Sequence, residues 1–273
     1  MEIREVVDST QKYWEEVVHA IQAHAAEINR LRRIESDLFG NERYGNALSA
    51  YEDYEQRAHV WQAASVLMSK LVRVAIKEFS PSPSSPIEID WNDIAKAVGF
   101  ANERRPEFNA HVFWKELESR YGGSKGATNA YQQAAGSLIN EFRIKPEAGI
   151  QRRRDGIVLN LGIRAEHLKY SNRYRIDGDD ERQIGRTAAA LKSFASWAGL
   201  PTLEQAMTAF AKVWVGRDQV NSRESFIYGD GGTGQIKITT YYNRFEFVFD
   251  GRTSEKLQLF LGEYGFTPVA EAA

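Results

Sequence analysis

Nine basic side chains crowd into 33 residues of this chain: Arg143, Lys145, Arg152, Arg153, Arg154, Arg164, Lys169, Arg173 and Arg175. Only Glu147, Asp155 and Glu166 oppose them, which leaves a local charge of +6. The whole chain carries −2, so the other 240 residues hold −8. A basic segment in an otherwise acidic protein concentrates a field that an anionic polymer will find. Tyr170 and Tyr174 stand among these cations, together with His167 and Asn172. Rings of this kind can stack on bases while guanidinium groups hold the phosphates. The blander reading of the same charges is a solvated face that pairs with the acidic excess elsewhere.

Other constellations are weaker. Gly122-Gly-Ser-Lys-Gly126 has the outline of a nucleophile elbow, but that motif needs a strand before its serine and the residues here read as helix. Asp155 and His167 also come in the wrong order for that fold. As a loop between helices, the same residues offer backbone amides and Lys125 to a phosphate, so Lys125 joins the expected DNA contacts. Gly229-Asp-Gly-Gly-Thr-Gly234 lacks the Lys-Ser/Thr that would hold phosphate and magnesium, and it reads as a flexible hairpin tip. Asp177-Gly-Asp-Asp-Glu181 begins like a calcium loop and then fails at Arg182; acidic residues before a helix complement its dipole. His19 and His24 are five residues apart, off the i, i+4 face that a metal pair uses, and no His-Glu-x-x-His occurs. No metal site or cofactor is expected, and no catalytic residue is singled out.

The elements that must position these residues can be read from apolar spacing. Between Thr10 and Leu38, Trp14, Val18, Ile21, Ala25, Ile28, Leu31, Ile34 and Leu38 recur at steps of three and four, the seam of a helix that packs along its whole length. Gly40-Asn41 suits its C-terminal cap. A second such run extends from Ala47 to Phe79. Two long stripes need each other for burial, which predicts an antiparallel hairpin over residues 1–79, a candidate arm for a homodimer or for a host or phage protein. Ser80-Pro-Ser-Pro-Ser-Ser-Pro86 reads as a semi-rigid linker. The remainder, 87–273, then forms a second domain.

In that domain short helices are expected at 90–98, 107–121, 128–142 and 180–198, the last stopped by Gly199-Leu-Pro201. Thr202-Leu-Glu-Gln205 has the form of a capping box for the next helix. Gly156 to Leu161 has strand character. Strands at 224–228, 235–242 and 245–250, with a tight turn at Asn243-Arg244, give a three-stranded meander closed by a helix over 254–264. Helices first and a small antiparallel sheet last define an α+β protein.

From about Phe108 onward the chain resembles an uncharacterised bacterial family carried on plasmids and prophages, some of whose members follow a DNA methyltransferase. The residues that carry the likeness are Phe108-Asn-Ala-His-Val-Phe-Trp-Lys-Glu-Leu117, Ile157-Val-Leu-Asn160, the basic-aromatic stretch, and Thr239-Thr-Tyr-Tyr-Asn-Arg-Phe-Glu-Phe-Val-Phe249. Arg244 stands where the family usually has Gly after the Asn, and no His follows. The resemblance implies a setting in mobile elements, where proteins act on DNA or in phage–host conflict.

The composition sets the outer bounds. Apolar residues make up 42% of the chain and charged ones 26%, which fits a packed protein. No run has the length of a membrane span, so no membrane partner is expected. Met1-Glu2-Ile3-Arg4-Glu5 does not read as a secretory leader, and zero cysteines agree with a reducing, cytoplasmic setting. The expected function is DNA binding through Lys125 and the 143–175 segment. A DNA-acting glycosylase or nuclease is one alternative, with Asp155 or Asp177 beside the basic stretch as its carboxylate. A protein inhibitor of a host defence or restriction system, acting through the helical arm, is the other.

Overall fold

A computed structural model describes residues 2–40, 53–100, 107–145, 152–153, 156–169, 173–214, 219–229 and 232–265. Two units divide the chain: residues 1–78 with 89–123, and residues 79–88 with 124–273. The architecture is α+β, with eight helices and two antiparallel sheets among the described residues. None of the described helices is long and apolar enough to cross a membrane.

The first unit is helical. Helix α1 (Ile3–Phe39) and helix α2 (Asp53–Phe79) are the two long elements that the spacing predicts. Gly40 closes α1 with φ 71°, its amide donating to Ser36 at 2.9 Å. Helices α3 (Trp91–Ala97) and α4 (Ala110–Tyr121) follow, capped by Asp90 and Asn109, whose carboxylate and amide oxygens accept first-turn amides. Trp14 of α1 meets Phe108 edge to face at 5.5 Å, and the Gln11 side-chain oxygen accepts the Ala110 amide at 2.8 Å. Trp61 of α2 meets Trp91 of α3 at 6.4 Å. The seam of α1 is not buried along its whole length: Trp14 and Ala25 are covered, whereas Leu31, Ile34 and Leu38 are exposed, Leu38 by 70%.

The Pro/Ser stretch belongs to the second unit and packs on it. Ser82 hydrogen-bonds to Ser196 at 2.8 Å, Ser85 to Ser193, and the Ser84 hydroxyl donates to Glu204. Glu88 and Gln133 exchange two bonds of 2.8 Å, and Ile87 is buried. The serine hydroxyls of the expected linker find partners on neighbouring helices, and the unit boundary falls elsewhere. The residues from 89 to 123, expected with the C-terminal domain, lie in the first unit.

The second unit runs helix α5 (Ser124–Phe142), strands β1 (Arg152–Arg153), β2 (Gly156–Gly162), β3 (Ala165–His167) and β4 (Arg173–Ile176), then helices α6 (Gly178–Ala198) and α7 (Pro201–Trp214). Strands β5 (Gln219–Asn221), β6 (Ser225–Tyr228), β7 (Ile236–Tyr241) and β8 (Arg244–Phe249) and helix α8 (Gly251–Tyr264) complete it. The meander of β6, β7 and β8 is present but larger than expected, because β2 pairs with β8 and β1 with β2, giving the order β1-β2-β8-β7-β6. A second sheet, β3-β4-β5, went unpredicted.

Strand alternation decides which face is buried. Phe245, Phe247 and Phe249 of β8 lie beside Leu161, Leu159, Ile238 and Ile236, all buried on the face that the helices cover. Phe142 of α5 approaches Phe247 at 5.2 Å, Phe210 of α7 approaches Phe247 at 5.9 Å, and Trp214 lies 5.0 Å from Phe245. Phe260 and Leu261 of α8 add to this core. Gly199 caps α6 in the left-handed region (φ 62°, ψ 45°), as the sequence indicates, and the side chains of Asp177 and Asp250 cap the starts of α6 and α8. The capping box at Thr202 is not used. Helix α7 begins two residues earlier than that box implies, at Pro201, where the missing amide hydrogen is not needed.

Candidate nucleic-acid interface

The small sheet assembles the middle of the basic stretch. Cross-strand register puts His167 opposite Tyr174, Glu166 opposite Arg175 and Ala165 opposite Ile176. On the other side of β4, Arg173 faces Asn221 and Tyr174 faces Val220. The hairpin closes with the Leu168 amide donating to the Arg173 carbonyl at 3.0 Å. Because neighbours in a strand point to opposite sides, Tyr174 and Ile176 turn toward the core, where Ile176 and Val220 are buried. Arg173 and Arg175 project from the other face and are exposed, as is Lys169 at the hairpin end.

Two anchors fix this sheet to the larger one. The Ile163 amide donates to the Asn243 carbonyl at 3.0 Å, and the Thr240 hydroxyl donates to the Asn221 carbonyl at 2.9 Å. The first brings the β7–β8 turn against the start of the small sheet. That turn is Tyr242-Asn243, with Tyr241 opposite Arg244, and so lies one residue before the expected Asn243-Arg244. The shift puts Arg244 into the strand and Tyr242 at the tip. Tyr242 then stacks on Tyr174 (5.7 Å, 29° between planes), and Tyr174 meets His167 at 5.1 Å with the planes tilted by 59°. Three rings from three elements thus form one cluster, of which Tyr174 and Tyr242 are stacked. At its turn end the Arg244 guanidinium lies 4.4 Å over the Tyr241 ring and donates to the Asn243 side-chain oxygen at 3.3 Å.

Arg164 is placed by α6. Its amide donates to Asp180 at 2.5 Å, and its guanidinium lies 3.5 Å from Asp180 and 3.9 Å from Asp179. The Asp180 side chain is only 7% exposed. Arg164 and Arg175 line a cleft of about 490 Å³ together with Glu166, Asp177 and Gly178. Two cations and two carboxylates leave the lining neutral, so the cleft itself does not draw an anion. Asp177 is exposed and serves α6 as its cap, accepting the Asp179 amide at 3.1 Å. Among the described residues no cluster of three His, Asp or Glu side chains is arranged to hold a metal ion.

The rest of the expected set is spread out. Arg152 and Arg153 pair with Ile157 and Gly156, at the opposite end of β2 from Gly162 and Arg164. Six strand steps separate Gly156 from Gly162, about 20 Å. Lys125 lies in the first turn of α5 and Arg143 just past its last residue, about 27 Å apart along the axis. Arg143 and Lys145 are exposed. Arg154 and Tyr170 lie outside the described residues. The segment does not gather on one surface: Arg173 and Arg175 share one face of the small sheet, Tyr174 lies half-buried on the opposite face, and Lys169 is exposed at the hairpin end. Tyr242 and Arg244 join them, and spacing pointed to neither. The available signal was the two-residue turn, which a count of paired strand positions would have located.

No known protein family, curated protein or solved structure matches the chain.

Proposed function

We propose that the second unit binds DNA through the small sheet and the turn beside it, with Lys169, Arg173 and Arg175 as phosphate contacts. The observation that carries this reading is the cationic face of β4, which projects two exposed arginines. Cations of this kind fix a polyanion by counterion release. The family resemblance adds the setting, a mobile element or a phage-defence locus.

The test is a salt titration of binding, read by anisotropy of labelled duplex and single-stranded DNA. Arg173→Ala with Arg175→Ala lowers affinity for both and flattens the dependence on salt by about 0.9 per lost duplex contact. Arg152→Ala with Arg153→Ala, at the other end of β2, leaves the slope in place. The reverse pattern would move the interface to that other end, and no binding by the native protein would end the proposal.

A further inference from the structure

The stack at the β7–β8 turn points to the state of the nucleic acid and not only to its charge. Its inner members are held firmly: His167 and Tyr174 are cross-strand partners, and Tyr174 packs partly against the core. Its outer member is different. Tyr242 is 53% exposed although Tyr174 already covers one of its ring faces. The residue sits on a two-residue turn that the Ile163–Asn243 bond holds in place. A planar partner laid on the Tyr242 ring would extend the Tyr174–Tyr242 stack by one member.

A base of a single strand fits that description, because its flat face is free. In a duplex each base face is covered by its neighbour except at the ends. Arg244 is the cation nearest the turn, its guanidinium 4.4 Å over the neighbouring Tyr241 ring, and Lys169 is exposed at the end of the β3–β4 hairpin that carries His167. We infer that the Tyr174–Tyr242 stack is a platform for unpaired nucleotides, with Tyr242 as the residue on which a base rests. This rests on the DNA-binding reading of the same sheet and adds to it a preference for unpaired strands. Stacking does not distinguish the sugar, so the shared chemistry is a base with its phosphate, from DNA or RNA.

An abasic oligomer separates the two ideas, because it keeps the phosphates and removes the bases. The full chain is titrated with dT20, rU20, an abasic 20-mer and a 20-base-pair duplex. One stacked base strengthens binding about 5- to 150-fold, so native protein holds dT20 more tightly than the abasic oligomer by that factor. Tyr242→Leu brings dT20 down to the abasic level, and Tyr242→Phe, which keeps the ring, restores it. Circular dichroism confirms that both variants are folded. Whichever of dT20 and rU20 binds more tightly names the polymer. If none of the four ligands binds, the DNA-binding reading and this one fall together. If dT20, duplex and abasic oligomer bind alike and Tyr242→Leu changes nothing, the electrostatic reading stands and the stacking platform is refuted.

Discussion

Asp180 gives the sharpest test of how the site is built. Its carboxylate is buried in the first turn of α6, accepts the Arg164 amide at 2.5 Å, and lies 3.5 Å from the Arg164 guanidinium. Asp180→Ala removes the acceptor and leaves that amide without it, a change worth about 1.5–3 kcal/mol for a bond to a charged group. Loss of a negative charge at the helix start adds about 0.3–1 kcal/mol. The ion pair adds little, because the Arg164 side chain is 71% exposed and solvent screens it. The Ala variant should therefore lose about 2–4 kcal/mol. Asp180→Asn keeps an oxygen for the amide and should lose about 1 kcal/mol or less, chiefly the charge at the helix start. Urea unfolding followed by circular dichroism measures both. For a unit of this size the Ala variant should also melt lower by roughly 4–16 °C, at about 2–4 °C per kcal/mol. Amide exchange at Arg164 supplies the local readout, fast in the Ala variant and protected in the Asn variant. Equal losses in the two variants, or a loss below about 0.5 kcal/mol for Ala, would refute the account.

Further predictions concern the frame around the site. Gly156 has φ 142°, and a Cβ there would fall 1.9 Å from the Phe249 carbonyl oxygen, so Gly156→Ala should cost more than about 3 kcal/mol or abolish soluble expression. Gly185, inside α6 with nothing within 4 Å of a built Cβ, should gain roughly 0.5–1 kcal/mol on change to Ala, read by the same unfolding assay. Burial raises the phenol pKa of Tyr131 and of Tyr264 above the ordinary 10.0. The folded chain then holds these protons longer than the unfolded one, so stability is whole below the ordinary value and falls as pH climbs through the raised one. Tyr131→Phe with Tyr264→Phe should flatten that alkaline fall in a series of melts between pH 9 and 11.

The α+β class was legible because its signals are long. Helix α6 has Ile184, Leu191 and Phe194 on one side and Gly199 at its end, and α8 has Leu257, Phe260 and Leu261. The helix stops were legible too, since a left-handed cap demands a residue such as Gly199. What escaped was short or non-local. Strands β3, β4 and β5 span three or four residues each, and Arg173-Tyr-Arg-Ile176 alternates too briefly to outweigh its charge. That β2 would join β8, more than 80 residues later, is a matter of tertiary pairing that neither segment states. The Pro/Ser stretch shows the same limit of composition: serine predicts an extended solvated chain until Ser193 and Ser196 supply partners. At the site, Arg173, Tyr174 and Arg175 were visible as residue types. Their separation onto opposite faces of one strand follows only once the strand is known.

Charge density along a chain is not charge density in space, and the salt dependence of binding tells the two apart. If all nine cations of the 143–175 segment met phosphates, log affinity against log salt would fall with a slope of about −8 on duplex DNA and about −6 on a single strand. The fold argues for fewer. Arg164 is held beside Asp179 and Asp180, and Arg152 and Arg153 lie at the far end of β2. Arg143 and Lys145 follow the end of α5, and Arg154 lies outside the described residues. Lys169, Arg173 and Arg175 belong to the small sheet, and Arg244 joins from beside the turn. Four contacts give a slope near −3.6 on duplex and near −2.8 on a single strand. A titration between 50 and 200 mM salt separates these cases, because the two models differ by more than two units. A slope steeper than about −6 on duplex would mean that the far end of β2 also touches the polymer, and the interface would have to be redrawn around the whole segment.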